Sequence, residues 1–181
     1  MMEQRMSRKF ISLTAMALLM APVPTLAGNG YLGVSIGNLN YREPNLSRHT
    51  ISLTGRAGYR LVKFLDLEAR LATSDTDASG GQNFQLRYLG SAFAKLNWQP
   101  SNSSHFELYA LVGGSYMNLR TGPSGAVSDD SDSSVSWGFG IDMFANDHHS
   151  LNIEWVRYGD GTINNTSYAL DNLSVGYTYH F

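Results

Sequence analysis

The last nine residues of the chain, LSVGYTYHF, alternate between bulky apolar side chains and small or polar ones. Successive side chains of a strand point to opposite faces, so this strand has one apolar face and one polar face. Such a strand is typical of a membrane-spanning β-barrel, in which the apolar face contacts lipid and the polar face lines the lumen. A half-buried strand that closes a soluble sheet is the alternative. The bulky residues are Leu173, Val175, Tyr177, Tyr179 and Phe181.

The amino-terminal segment indicates export. Basic residues within positions 5–9 precede an apolar run over residues 10–20, and a Pro-containing segment then ends in Ala27. This order is that of a secretory signal peptide. The apolar run has about half of the roughly 20 residues that a membrane-spanning helix needs, so a retained anchor is the weaker interpretation. We therefore predict a signal peptide over residues 1–27 and a single barrel domain over residues 28–181.

Charge and cysteine content argue against a nucleic-acid-binding protein and against an exported domain held together by disulfides. Without the predicted signal peptide the chain has 10 Lys and Arg residues against 14 Asp and Glu residues, so its net charge is −4 with His neutral. No basic stripe remains that would attract nucleic acid. The chain has no cysteine, so no disulfide holds a small exported domain together. A closed sheet in lipid can be stable without disulfides, because every backbone amide pairs with a neighbouring strand.

Alternation with a period of two residues recurs along the predicted domain, interrupted by polar, Gly-rich or Pro-containing segments. It predicts an all-β fold, an eight-stranded antiparallel up-and-down transmembrane β-barrel. The predicted connections alternate in length, as expected where long extracellular loops lie opposite short periplasmic turns. The predicted strands are residues 30–41, 50–61, 65–74, 83–98, 105–119, 135–144, 150–158 and 169–181, the long loops 42–49, 75–82, 120–134 and 159–168, and the short turns 62–64, 99–104 and 145–149.

This topology gathers aromatic side chains at the two ends of the barrel. Aromatic rings anchor a barrel at the membrane–water interfaces, because they are apolar and those of Tyr and Trp also carry a polar group. We predict one girdle at the periplasmic rim and another at the extracellular rim. The predicted girdle residues are Tyr59, Trp98, Phe106, Tyr179 and Phe181 at the periplasmic rim, and Phe84, Tyr116 and Trp137 at the extracellular rim.

The polar faces of the predicted strands carry five basic and five acidic side chains. Eight strands enclose a space just wide enough to be filled by side chains. An unpaired buried charge costs several kcal/mol, so we expect these groups to pair across the lumen and to close it. A narrow polar channel is the alternative. The predicted lumen network consists of Arg56, Arg60, Asp66, Glu68, Arg70, Arg87, Lys95, Glu107, Asp142 and Glu154.

The Gly-rich alternating segment YALVGGSY at residues 109–116, together with the aromatic carboxyl-terminal strand, resembles the OmpA-like transmembrane superfamily, in its outer membrane protein β-barrel domain group. The resemblance covers residues 28–181 and concerns architecture. It implies a small barrel in the bacterial outer membrane, in contact with lipid and lipopolysaccharide. In that family the barrel-assembly machinery recognises the carboxyl-terminal strand, a role that Leu173, Val175, Tyr177, Tyr179 and Phe181 would match here.

Some eight-stranded barrels modify lipid A, and the lipid A deacylases carry a His-x-Ser pair with a distant Glu. The nearest match in this sequence is His148 and Ser150 with Glu154. The topology places this pair at a periplasmic turn, whereas the deacylase site lies at the outer leaflet, so we predict no catalytic residues. The acids of residues 129–132 lack the ligand spacing of an EF-hand calcium loop, so we predict no metal and no cofactor.

The sequence therefore predicts a monomeric outer-membrane barrel with a structural or adhesion-like surface role. We expect extracellular ligands to bind the four long loops, because a rigid scaffold usually carries its binding residues on loops. The longest of these is the acidic segment of residues 120–134. A lipid A-modifying enzyme and a narrow non-specific pore are the alternatives from other classes.

Overall fold

The computed structural model describes residues 28–43, 46–75, 77–79, 82–100, 105–123, 128–163 and 166–181, so the predicted signal peptide lies outside the described residues. Across the described part of the chain, no helix has the length and apolar character needed to cross a membrane. The strands are β1 Gly30–Glu43, β2 Leu46–Val62, β3 Leu65–Ser74, β4 Asp77–Ser79, β5 Gln82–Trp98, β6 Phe106–Pro123, β7 Ser128–Asn146, β8 His149–Ile163 and β9 Thr166–His180.

The strands form one closed antiparallel sheet. Sequential strands are paired except β3 and β4, β1 also pairs with β9, and β3 pairs with both β2 and β5. The short β4 continues β3 along the same edge of β5, so the nine segments make eight barrel strands. The predicted eight-stranded antiparallel barrel is therefore confirmed. Gly30 lies opposite Tyr59 and Tyr31 lies opposite His180, so both ends of the described domain meet at one end of the barrel, which is periplasmic in barrels of this type.

The strands extend further than the alternation predicted, and the predicted long loops are wrong in extent. Arg42 pairs with Ser47 in the β1–β2 hairpin, and Thr121 pairs with Ser128 in the β6–β7 hairpin. Backbone pairing continues beyond the membrane, where neither face of a strand contacts lipid and the apolar alternation is lost. Strand occupies most of the predicted loops 42–49, 120–134 and 159–168, and β4 occupies part of the predicted loop 75–82.

Exposure along the strands is inverted relative to a soluble protein. In β3, Asp66, Glu68 and Arg70 are buried, whereas Leu67 and Leu71 are 51% and 64% exposed. Charged side chains are rarely buried and large apolar bands are rarely exposed to water, so the outer surface must contact lipid. Exposed apolar residues continue this band around the barrel, among them Ile36, Ile51, Leu96, Val112, Phe139, Ile153 and Val175.

Two β-bulges near the extracellular end change which side chains enter the lumen. The register shifts between Leu86 and Tyr88 in β5, and between Arg157 and Gly159 in β8. A bulge adds one residue to one strand, so the side chains beyond it point to the opposite face from simple alternation. As a result Leu86 is fully buried, and in β8 the consecutive residues Tyr158 and Gly159 are both buried.

Candidate functional site

The lumen contains two layers of side chains, and the periplasmic layer is charged. Nine of the ten predicted lumen residues lie in it, four of them basic and five acidic. All are buried except Arg60, which lies at the periplasmic mouth with its side chain 32% exposed. The nine residues are Arg56, Arg60, Asp66, Glu68, Arg70, Lys95, Glu107, Asp142 and Glu154.

The centre of this layer is a bidentate ion pair between Arg70 and Glu154. Arg70 donates from Nη1 to Oε1 of Glu154 at 2.6 Å and from Nη2 to Oε2 at 2.7 Å. Its Nε donates to Oε1 of Glu68 at 2.5 Å. The hydroxyl of Tyr109 donates to Glu154 at 2.9 Å, and Nη1 of Arg56 lies 3.8 Å from the same carboxylate. Because planar bidentate pairs are strong hydrogen bonds, this geometry offsets part of the cost of removing the charges from water.

Two tyrosines on the polar faces complete the layer. Each lies directly opposite a glycine of the neighbouring strand, Tyr31 opposite Gly58 and Tyr109 opposite Gly140. A Cβ atom at Gly58 would be 2.1 Å from Cζ of Tyr31, and one at Gly140 would be 2.4 Å from Cζ of Tyr109. The rings therefore pack against bare backbone, and the hydroxyl of Tyr31 donates to Oε2 of Glu68 at 2.7 Å. The prediction missed both tyrosines, although an aromatic residue on a polar face opposite a glycine was a usable signal.

Two further cations, Lys95 and Arg60, neutralise acids near the periplasmic mouth. Nζ of Lys95 donates to Oδ2 of Asp142 at 2.6 Å. Arg60 bridges two acids, with Nε 3.0 Å from Oδ1 of Asp66 and Nη2 2.7 Å from Oε1 of Glu107. Each of these acids therefore has a cationic partner, which limits the penalty of burying it.

Arg87 does not lie in the lumen, contrary to the prediction. Its side chain is exposed on the outer surface. Simple alternation from Lys95 backward would point Arg87 inward, but the bulge between Leu86 and Tyr88 adds one residue to β5. Leu86, which simple alternation would place on the lipid face, occupies the inward position instead.

The extracellular layer of the lumen contains large apolar side chains among small buried polar ones, and the sequence analysis missed it. Most of its residues lie toward the extracellular ends of the strands, and Leu111 lies opposite Lys95 of the charged layer. The ring of Phe93 lies 6.4 Å from that of Tyr158 and 4.9 Å from the guanidinium of Arg70, so it joins the two layers. Little in the sequence indicated this layer, because bulky residues on a polar face look like interruptions of the alternation. The buried apolar residues are Leu39, Tyr41, Ala72, Leu86, Leu89, Phe93, Leu111, Met117, Val156, Tyr158, Tyr168 and Leu170.

The two stacked layers fill the described lumen with side chains. Burying an unpaired charge among apolar groups is strongly unfavourable. The arrangement therefore pairs the buried charges with one another and joins strands that are not neighbours in the sheet, β3 to β8 and β5 to β7.

The His, Ser and Glu residues of the deacylase-like match are not assembled into a catalytic group. Oγ of Ser150 lies 3.0 Å from Nε2 of His180, while Nδ1 of His148 lies 2.9 Å from the carbonyl oxygen of His180. Glu154 is bound to Arg70 instead. Ser150 is only 1% exposed, whereas a nucleophile must be reached by its substrate. Among the described residues, no group of three His, Cys, Asp or Glu side chains is arranged to hold a metal ion.

Aromatic side chains lie on the outer surface near both rims. Additional ring pairs occur toward the extracellular end, where Tyr88 stacks on Tyr116 at 6.2 Å and Trp137 meets Trp155 edge-on at 5.0 Å. The side chain of Phe84 lies outside the described residues. The predicted girdle residues Tyr59, Trp98, Phe106, Tyr116, Trp137, Tyr179 and Phe181 are exposed outward, as are Leu173, Val175 and Tyr177 of the carboxyl-terminal strand.

A closed antiparallel barrel with an apolar outer band, rings at both rims and a packed lumen defines a membrane-spanning β-barrel protein. A family model described as "Outer membrane protein beta-barrel domain" matches residues 11–181. The chain belongs to this family, and its location is the bacterial outer membrane. A comparison with curated protein sequences gives no match.

Solved structures with the same fold include three small outer-membrane barrels. Neisserial surface protein A has a TM-score of 0.73 and 16% identity, over 85% of this chain and 98% of that one. Ail, the attachment invasion locus protein of Yersinia pestis, has a TM-score of 0.56 and 14% identity, over 83% and 99%. The N-terminal β-barrel domain of Pseudomonas aeruginosa OprF has a TM-score of 0.57 and 15% identity, over 82% and 97%. At these identities the likeness concerns the fold.

Proposed function

We propose that this barrel is a non-conducting, non-enzymatic scaffold that displays its extracellular hairpins for contact with a partner surface. The observation that carries the proposal is the doubly packed lumen, in which an ion-paired layer lies below an apolar layer. Since the interior side chains stabilise the barrel, the extracellular ends of the strands are the surfaces available for binding. This function is structural and adhesion-like.

The shape of the hairpins supports display. The β6–β7 hairpin remains paired as far as Thr121 and Ser128, and β5 pairs with the end of β6 as far as Gln82 and Pro123. Paired backbone is more rigid than a free loop, so the hairpin would lose less conformational entropy when a ligand binds it. The strand β7 begins SDDSDSS, an acidic and polar sequence that favours a basic partner over an apolar one.

Two of the similar structures also support this proposal by their names. One is a surface protein and the other the product of an attachment invasion locus. We extend these roles to this chain only as a proposal, because one fold carries many functions.

The test is to shorten the β6–β7 hairpin. Residues 120–129 are replaced by a two-residue Asn-Gly turn between the paired residues Leu119 and Asp130, which keeps the strand register, and adhesion of expressing bacteria to immobilised extracellular-matrix proteins is measured. We expect adhesion to fall at least ten-fold while the protein still migrates differently before and after heating on a detergent gel, as a folded barrel does. The matched control shortens the β1–β2 hairpin. Equal adhesion of the unmodified and shortened proteins would contradict the proposal.

The enzyme alternative has its own test. A lipid A hydrolase would change the mass of lipid A in expressing cells, and Ser150→Ala would abolish that change. We expect the same lipid A mass with the vector alone, the unmodified protein and the variant. A mass shift that depends on Ser150 would replace the scaffold proposal with an enzymatic one.

A further inference from the structure

A cluster of charged and aromatic side chains lies on the outer surface near the extracellular rim. The carboxylate of Asp171 joins two arginines: it accepts from Nε of Arg157 at 2.7 Å and is also bound by Nη2 of Arg42. The guanidinium of Arg157 lies 5.6 Å from the ring centre of Trp155 and 5.9 Å from that of Trp137. We call these five residues the rim cluster.

The rim cluster lies at the boundary between lipid and water. On β9 the outward residues from Leu173 to Phe181 are apolar or aromatic, and Asp171 is the next outward position beyond Leu173. Eight residues of a strand tilted by about 40° rise roughly 20 Å, close to the apolar height of a barrel of this type. On β1 the outward row changes from Ile36 to Asn38, Asn40 and Arg42 at the same level. The cluster therefore faces the headgroup layer of the outer leaflet.

Asp171 holds the two arginines in place, and part of each arginine side chain remains accessible to an anion. Asp171 has a side chain only 5% exposed and fixes both guanidinium groups, while Arg42 and Arg157 keep 48% and 25% of their side chains exposed. The tryptophan rings cover part of Arg157 by cation–π contact and leave hydrogen-bond donors at its edge. Asp160 lies 3.8 Å from Nη1 of Arg157, but its side chain is 69% exposed, so this contact is weak and a more highly charged anion can displace it.

A phosphate monoester suits this geometry better than a carboxylate. It carries a charge of about −1.5 to −2 and three acceptor oxygens, so one phosphate can accept from the N–H groups of both arginines that Asp171 does not use. At the headgroup level of the outer leaflet such a phosphate is supplied by a phosphorylated glycolipid. The indole rings at the same level provide an apolar surface for the first part of its acyl chains.

We propose that the rim cluster is a binding site for the phosphate group of an outer-leaflet glycolipid of the lipid A type. Arg42 and Arg157 bind the phosphate, Asp171 positions them, and Trp137 and Trp155 line the side that faces the acyl chains. The site would bind a lipid to one side of the barrel and give the barrel a preferred neighbour in the outer leaflet.

The test uses the refolded protein in a maltoside detergent, which has no phosphate group. Lipid A with both phosphates, the same lipid A after enzymatic dephosphorylation, and inorganic phosphate are each titrated, and tryptophan fluorescence and native mass spectrometry report binding. We expect phosphorylated lipid A to bind at least ten-fold more tightly than the dephosphorylated form. Arg42→Gln and Arg157→Gln should each weaken its binding about ten-fold, as expected for loss of a charge-assisted hydrogen bond.

The control variant is Lys63→Gln, which removes an exposed cation from the turn at the periplasmic end of the barrel. It changes the net charge by the same amount as the arginine variants and should leave binding unchanged. Heat-dependent migration on a detergent gel shows that each variant is folded, and if Arg157→Gln does not fold, Arg42→Gln decides the test. Equal binding of the two lipid A forms, or an equal loss in Lys63→Gln, would overturn the proposal. Saturation by inorganic phosphate at the same concentration as lipid A would also overturn it, because the cluster would then be a free-anion site.

Discussion

The substitution Glu154→Gln tests whether the charged side chains of the lumen are shielded from water. The substitution keeps the shape of the side chain and removes the negative charge that faces Arg70 and Arg56. In the unmodified protein Glu154 accepts two hydrogen bonds from Arg70 and one from Tyr109, and its side chain is 3% exposed. In the variant the two arginines would share Glu68 as their nearest anion.

The expected loss follows from burial. Removing one partner of a buried ion pair leaves an uncompensated charge and costs about 3–5 kcal/mol. Typical unfolding free energies are about 5–15 kcal/mol, so the variant should lose a large share of its stability. The control is Glu107→Gln, since its partner Arg60 has a side chain 32% exposed and can be solvated at the mouth. For this partly exposed pair we expect a loss of about 1 kcal/mol or less.

The assay is equilibrium unfolding in urea of the refolded protein in detergent micelles, followed by tryptophan fluorescence. The double variant Arg70→Gln/Glu154→Gln should lose less than the sum of the two single variants, because both changes remove the same contacts. A loss below about 1 kcal/mol for Glu154→Gln, equal to that of Glu107→Gln, would refute the reasoning. It would mean that water solvates the lumen charges and that the ion pairs contribute little.

Three other outcomes are expected. Gly58→Ala should cost about 1–3 kcal/mol in the same unfolding assay, because its Cβ would meet the ring of Tyr31, whereas Gly55→Ala, with no atom within 4 Å, should change stability by less than about 0.5 kcal/mol; equal effects would contradict the packing argument. Tyr179→Ser should lower the amount of heat-modifiable barrel in the outer-membrane fraction while refolding in vitro persists, and unchanged assembly in cells would count against a recognition role for this strand. The unmodified protein should give no discrete conductance steps in planar lipid bilayers, and regular steps would disprove the closed lumen.

The class of fold could be predicted from the chain because lipid imposes a simple rule on each strand. Residues such as Leu173 and Val175 face acyl chains, their neighbours face the lumen, and the period of two residues is visible without any partner strand. The same rule placed Asp66, Glu68 and Arg70 on one inward face of β3. Alternation did not predict how far the hairpins extend. Strands that continue beyond the membrane pair through their backbones, and this pairing leaves no apolar pattern in the sequence.

Alternation along the chain is enough to predict a β-barrel with one apolar surface, since that property depends only on neighbouring residues. Which inward groups meet depends instead on how the strands pair and close in three dimensions. Arg70 and Glu154 are 84 positions apart and pair only because the sheet closes. The bulge beside Leu86 turned Arg87 outward, and the one in β8 lies beside Arg157 at the rim. Register and closure are set by contacts summed over the whole barrel, and no single strand carries that information.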